Sequence, residues 1–341
     1  MKILIIGGAG LISTAITRQL LDRGDEVTLF TRGTSPVRFI GTPAQVVGDR
    51  TDYPRFEARM REGGSFDCVI DMVGYEPEDA STAVRAFRGR AHHYIFCSTV
   101  DVYAKPASRY PIREDAPRDP ITDYAVKKVL CEDILLDAHR RGDLPVSILR
   151  PTYTYGEGAR GVIHSLGFRT TFLDRLRRGQ PVIVHGNGTS LWNPCHIDDV
   201  ARGFVNAAGN PATLGKSYNV TGEEAITWNQ LTAKIAEAMG APEPELVHIP
   251  TDLLARVTPK RAQLSLENIQ YPNVHDTAAA HVDFGFRYTI SVVDGMRRTI
   301  NWLAANDKIE SSDADPLYDQ LIDAWKRLSG AMTRECAGLD A

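Results

Sequence analysis

The chain has 341 residues, 43% of them hydrophobic and 24% charged, with a formal net charge of −4. This is the composition of a soluble globular protein with room for one large α/β domain and a smaller lobe, and its mild acidity gives no reason to expect a polyanionic partner such as nucleic acid. No apolar run approaches a membrane span and no signal-peptide layout opens the chain, so a cytoplasmic protein is expected.

The first stretch is Lys2-Ile-Leu-Ile-Ile-Gly-Gly-Ala-Gly-Leu-Ile-Ser13. An apolar run breaks into Gly7, Gly8 and Gly10, then turns helical through Leu11, Ile12, Ala15, Ile16, Leu20 and Leu21, closes at Gly24, and is followed by a second apolar run, Val27 to Phe30. Strand, glycine turn, helix and strand make the first βαβ unit of a dinucleotide-binding sheet. Glycines leave the backbone N–H groups and the helix N-terminus open to a pyrophosphate, so Gly7, Gly10, Leu11 and Ile12 are the expected contacts. Ser13 stands where a third glycine would pack helix on strand, and its small side chain is tolerated there.

At the end of the second strand, where a carboxylate would hold the adenine ribose hydroxyls and select NAD, stand Thr31 and Arg32. A guanidinium can pair with a 2′-phosphate, so the chemistry leans to NADP, with NAD as the alternative. Val46 to Arg50 reads as a third strand that places Asp49, with Arg50 behind it, at the adenine. Phe66 to Gly74 reads as a fourth strand whose end, Met72, Val73 and Gly74, flanks the cofactor. Helices fill the intervals around 54–62 and 77–88, and the alternation predicts a doubly wound parallel sheet.

A fifth strand, His93 to Tyr103, is followed by a Pro-rich loop and a helix opening at Asp123-Tyr-Ala-Val-Lys-Lys128. Tyr124 and Lys128 are four apart and share a helix face. An ammonium beside a phenol lowers its pKa from about 10, which would make Tyr124 a proton donor or acceptor, and Thr99 could hydrogen-bond the same substrate oxygen. Beyond Gly156 come helical signals over 161–178, a strand and turn over 181–188, and a helix from His196. Tyr218 to Val220 looks like a strand returning to the main sheet. A capped helix covers 227–239, and two last helices cover about 291–305 and 316–328. The resulting division is a dinucleotide-binding domain over 1–155 with a return around 196–221, a smaller α/β substrate lobe over 156–330, and a loose tail over 331–341. The five cysteines are scattered, with no pair at CxxC spacing and no clustering with histidine, so reduced thiols and no metal site are expected.

GGAGLIS, VVGDRTD, STVDVY, YAVKK, Leu149-Arg-Pro-Thr-Tyr-Thr-Tyr-Gly156 and His196-Ile-Asp-Asp-Val200 together resemble the extended short-chain dehydrogenase/reductases, the family of nucleotide-sugar epimerases and dehydratases. Within it the chain resembles a branch that also includes plastid stem-loop RNA-binding proteins. The resemblance implies that Tyr124 is the catalytic acid/base, that Lys128 holds the nicotinamide ribose, that Thr99 fills the Ser/Thr position, and that Pro151, Thr152 and Tyr153 pack beside the nicotinamide. It also implies a homodimer built on the Tyr124 helix and the helix around 77–88.

Sugar-nucleotide members present an Asn and two Arg at places that align here with Tyr153, Trp192 and Tyr271. Losing both guanidiniums removes phosphate grips, and aromatics suit a base, a sugar face or an apolar body. The Asp-Glu pair of dehydratases reads Val100-Asp101, and one carboxylate does not readily serve as both acid and base. What remains is hydride chemistry at a secondary hydroxyl of a sugar or sugar-containing molecule, as net oxidoreduction or as epimerisation through a ketone. Asp101, Glu157, Trp192, His196 and Tyr271 are the candidate substrate contacts, although His196 reads better as a packed or capping residue than as a base. A non-catalytic RNA-binding or sensor protein on the same scaffold is the alternative.

Overall fold

The computed structural model describes residues 1–34, 41, 43–337 and 339, and these divide into two compact units. The first comprises 1–156, 193–225 and 273–292. Its elements are β1 (Lys2–Ile6), α1 (Leu11–Asp22), β2 (Glu26–Thr31), β3 (Ala44–Val47), α2 (Tyr53–Glu62), β4 (Cys68–Asp71), α3 (Pro77–Phe87), β5 (Tyr94–Cys97), α4 (Asp123–Arg140), β6 (Val146–Pro151), α5 (Ile197–Ala207), β7 (Ser217–Val220) and α6 (Ala278–Phe284). The strands form one sheet in the order β7-β6-β5-β4-β1-β2-β3, all parallel. This is the doubly wound α/β fold, and β7 is the strand read from Tyr218 to Val220.

The central strands β1, β4 and β5 are buried on both faces, which is why they read as near-continuous apolar runs rather than alternating ones; β6 is buried too but carries Ser147 and Arg150. On one face Ala15, Ile16 and Leu20 of α1 pack with Val200, Ala201 and Phe204 of α5 and Phe284 of α6. On the other, Phe56 and Met60 of α2, Ala83 and Phe87 of α3, and Cys131 and Leu135 of α4 cover Leu4, Ile6, Val69 and Ile148.

Several strands stop earlier than the sequence suggests. β3 ends at Val47, leaving Asp49 and Arg50 in the following turn, and β4 ends at Asp71. β5 ends at Cys97 because Thr99 caps a short turn over Val100–Val102, its hydroxyl accepting from the Asp101 N–H at 3.1 Å.

The second unit comprises 157–192, 226–272 and 293–341. In it Val182–His185 pairs parallel with Leu246–Ile249, and Leu191–Trp192 pairs antiparallel with Ile226–Thr227. The helical signal over 161–178 shrinks to Thr171–Arg177. A helix over Trp228–Met239 opens on a Thr227/Gln230 capping box and ends at Gly240 in the left-handed region. The last helix, Pro316–Glu335, runs past Gly330 into the stretch read as a loose tail. Among the described residues, no helix is long and apolar enough to cross a membrane, and no group of three His, Cys, Asp or Glu residues could hold a metal ion.

Candidate active site

The glycine turn is shaped by backbone demands. Gly7 has φ +88°, and a Cβ there would lie 2.3 Å from a methyl of Val73 at the end of β4. Ser13 does more than fit. Its hydroxyl accepts from the Gly10 N–H at 2.7 Å and donates to the Gly7 carbonyl at 2.8 Å, pinning the turn to the first turn of α1.

A 290 Å³ cavity lies against this turn. Gly7, Gly10, Leu11 and Ile12 form one wall; Met72, Val73 and Tyr75, following β4, form another. Cys97 at the end of β5 with Ser98 and Thr99 after it, Tyr124 and Lys128 from α4, and Pro151 at the end of β6 with Thr152 after it line the rest. Four strand ends and two helices of the first unit therefore bring together eleven of the residues proposed for cofactor and catalysis. The close-packed glycine cradle and the ammonium beside it fit a nicotinamide dinucleotide.

Asp71, wholly buried, shapes the β4 wall: it accepts from the Tyr94 hydroxyl at 2.6 Å and the Val73 N–H at 3.0 Å. Arg50 turns inward to this carboxylate rather than toward the cavity. Its guanidinium lies 3.6 Å from Asp71, stacks 3.9 Å above the Phe56 ring and donates to the Asp79 carbonyl. Thr31 ends β2 and Arg32 follows it; Asp49 accepts from the N–H and hydroxyl of Thr51, both at 2.8 Å, and these bonds with the Arg32 charge hold its carboxyl below the usual value. None of these four residues lines the cavity.

α4 opens on Thr122, whose hydroxyl accepts from the Ala125 N–H at 3.3 Å. Ala125, Lys128, Cys131, Glu132, Leu135 and Ala138 form its buried row, with Tyr124 at the rim. Lys128 Nζ donates to the carbonyls of Gly74 at 2.8 Å and Cys97 at 2.7 Å. Tyr124 is 43% exposed as a residue and lines the cavity with Thr99. Burial, with Cys97, Asp101 and Tyr75 adding to it, pushes this phenol well above its ordinary value, and burial likewise lowers Lys128. In the protein alone the ammonium serves the two carbonyls, so the lowering of Tyr124 that their spacing suggests is outweighed by desolvation.

The remaining candidates fall elsewhere. Asp101 accepts from Lys105 Nζ at 2.7 Å. His196 is buried and caps α5, its Nδ1 accepting from the Asp198 N–H at 3.2 Å, while its ring packs edge-on against Tyr155. Tyr153 is half-buried, its carbonyl accepting from the Cys195 N–H. In the second unit, Glu157 pairs with Arg298 at 2.7 Å, Trp192 is buried in a stack on Trp228 with ring centres 4.7 Å apart, and Tyr271 is half-buried. Tyr75 and Asp71 are the site-forming residues that motif reading passed over. An aromatic directly after Met-Val-Gly and an acid closing an apolar strand were the signals available.

A parallel sheet in this order, with a glycine turn after its first strand and a hydroxyl, a phenol and an ammonium around the adjoining cavity, defines a dinucleotide-dependent enzyme of the short-chain dehydrogenase/reductase type. The chain belongs to the NAD dependent epimerase/dehydratase family, which it matches over residues 3–221. It is 33% identical over 260 residues to the chloroplast stem-loop binding protein of 41 kDa b of Arabidopsis thaliana, a match covering 72% of this chain and 65% of that one, just under two thirds of its length. It is 24% identical to 2′-dehydrokanamycin reductase of Streptomyces kanamyceticus, over 71% of this chain and 68% of that one. Among solved structures, UDP-glucose 4-epimerase of Thermotoga maritima with UDP-glucose superimposes with a TM-score of 0.73 at 19% identity, covering 90% of this chain and 99% of that one. The Bifidobacterium longum UDP-glucose 4-epimerase in complex with NAD+ and UDP gives 0.70 at 20% identity, covering 91% and 100%. These two likenesses speak for the fold.

Proposed function

We propose that this protein oxidises and reduces a secondary hydroxyl of a sugar or sugar-containing molecule, with Tyr124 as the acid/base, either as a net reductase or as an epimerase through a ketone. The observation that carries this reading is that Thr99, Tyr124, Lys128 and the glycine turn line one cavity. A bound nicotinamide would supply or accept the hydride. Thr99 and Tyr124 hold the substrate oxygen between them. Tyr124 gives its proton to a ketone oxygen as the carbon is reduced, or takes the alcohol proton in the reverse sense. Burial keeps the phenol protonated in the resting protein, which suits the first direction. Purified protein examined by absorbance and mass spectrometry tests the reading: an epimerase carries nicotinamide through purification, a reductase binds it when added, and no binding of either cofactor refutes both.

The preferred cofactor is NADP, on the strength of Arg32 at the end of β2, beside Asp49. A guanidinium grips a phosphate by charge-assisted bonds that an uncharged side chain lacks. Arg32→Ala should therefore weaken NADPH binding about tenfold or more and leave NADH binding nearly unchanged. The relative named for stem-loop binding motivates one control: a gel shift with structured RNA at low salt, where a salt-sensitive complex would favour the non-catalytic alternative.

A homodimer through α4 is also proposed. Ile121 just before α4 and Val126 and Leu130 on it are exposed, an apolar strip of the kind that association covers. α3 contributes differently from what the sequence suggests, since its outward residues are Glu78, Ser81 and Arg85.

A further inference from the structure

Lys128 poses an electrostatic problem. Its side chain is almost wholly buried, and among the described residues no carboxylate lies within ion-pair distance of it. A buried ammonium without a partner ordinarily gives up its proton. Two carbonyls, of Gly74 and Cys97, take two of its three N–H bonds. Three aromatic rings also surround the charge: Nζ lies 4.6 Å from the centre of the Phe96 ring, 4.9 Å from Tyr75 and 5.8 Å from Tyr124. Ring faces carry negative quadrupole density and attract a desolvated cation.

Phe96 is buried inside the sheet, whereas Tyr75 is 48% exposed and borders the cavity. The Tyr75 backbone is fixed by its N–H bond to Asp79 at 2.9 Å, and its ring centre lies 6.4 Å from that of Tyr124. Tyr75 is thus the one member of the cage that can be altered without opening the core or removing the proposed acid/base.

We propose that Tyr75 is a positioning residue: its ring face, with Phe96, keeps the Lys128 ammonium charged and holds its remaining N–H toward the cofactor cavity. The inference rests on the reading of Lys128 as the ribose-holding cation, but the cage itself can be tested without that reading. Other groups facing Lys128 are Asp71 at the end of β4, Cys97 at the end of β5, and Cys131 and Glu132 on α4. Asp71 is engaged by Tyr94 and the Val73 N–H, and Glu132 by Arg150. A change at Tyr75 leaves all of them in place.

The experiment follows the Lys128 resonance in protein carrying 13Cε-labelled lysine, assigned by its loss in Lys128→Met, through a pH titration without cofactor. Tyr75→Leu keeps the bulk but removes the ring face, and should lower the Lys128 midpoint by about one pH unit, a tenfold loss of proton affinity. Tyr75→Phe keeps the face and should titrate as wild type. NADPH affinity, read by its fluorescence, should fall off at a pH lower by the same interval in Tyr75→Leu. An unshifted Lys128 midpoint in Tyr75→Leu overturns the proposal, as does an equal shift in Tyr75→Phe, which would assign the effect to the hydroxyl. A shifted midpoint with an unmoved NADPH profile overturns the positioning role. Failure of the wild type to bind NADPH counts against the proposed function instead, and the lysine titration still decides the cage.

Discussion

Lys128 Nζ lies 5.8 Å from the centre of the Tyr124 ring, one helical turn away, yet its hydrogen bonds go to the carbonyls of Gly74 and Cys97. The two side chains are therefore neighbours with separate duties: Lys128 ties α4 to the segments that follow β4 and end β5, while Tyr124 lines the cavity with Thr99. Tyr124→Phe removes the proton and little volume, so turnover should fall by about 10²- to 10⁴-fold while NADPH affinity stays near wild type. Because burial raises the phenol, ketone reduction should persist into alkaline pH, whereas alcohol oxidation should climb with pH. Steady-state rates in both directions between pH 6 and about 10 would check this, and a Tyr124→Phe enzyme with unchanged turnover would remove the phenol from the mechanism.

Gly7 sits at φ +88°, with Val73 2.3 Å from where its Cβ would be. Gly7→Ala must strain the backbone and push against a residue that itself lines the cavity. The expected outcome is destabilisation of more than about 1 kcal/mol, with cofactor binding weakened further than stability alone explains. Urea unfolding and NADPH titration of the same preparation separate the two effects. Equal stability and affinity would mean that the turn relaxes freely.

Much of this was written locally in the chain. Residues 2–31 announce strand, turn, helix and strand because the apolar pattern changes period at Gly7, and the Tyr124–Lys128 spacing places both on one side of a helix. The order of strands on either side of β1 follows from the handedness of parallel crossovers. What could not be read was the direction a long side chain takes. The sequence places Arg50 with Asp49 at the adenine, but a buried acid at Asp71, 21 positions on, draws it inward. Trp192 looked like a ligand contact, and its stack on Trp228 depends on two strands pairing across 33 intervening residues. The return of residues 273–292 to the first unit left no strand pattern, since it comes back as the loop pairing Ile112 with His275 and the short helix α6.

Arg150 and Glu132 form a buried two-pronged pair, Nε to Oε1 at 2.9 Å and Nη2 to Oε2 at 2.7 Å, and Arg150 also donates to the Tyr103 hydroxyl at 2.8 Å. The pair locks α4 to β6 behind the active face of the helix. Arg150→Met strands a buried carboxylate, and although Arg118 still reaches it at 3.0 Å, the loss should be about 3–5 kcal/mol. Removing both charges in Arg150→Met/Glu132→Leu should recover most of that. Equilibrium unfolding of the three proteins gives the answer, and a double variant no more stable than the single would assign the cost to lost packing instead.

Four buried histidines should set the acid limit of the fold. Burial holds His93, His164 and His185 down to about 4 and His275 to about 3, against an ordinary value of 6.5. A ring kept neutral in the folded protein takes up a proton on unfolding at any pH between these values. The unfolded state then binds more protons, so stability falls as pH drops from about 6.5 toward about 4, by up to about 1.4 kcal/mol per pH unit for each histidine. The carboxyl groups held low, Asp49, Asp174, Asp283 and Asp313, lose their contribution only below their ordinary 3.8 and so do not shape this limb. The melting temperature should be level above about pH 7 and drop steeply below 6.5, and His93→Gln should make the slope shallower by one proton's worth. A melting temperature constant from pH 7 to about 5 would mean that these rings are already protonated in the fold, with their partners rearranged to accept the charge.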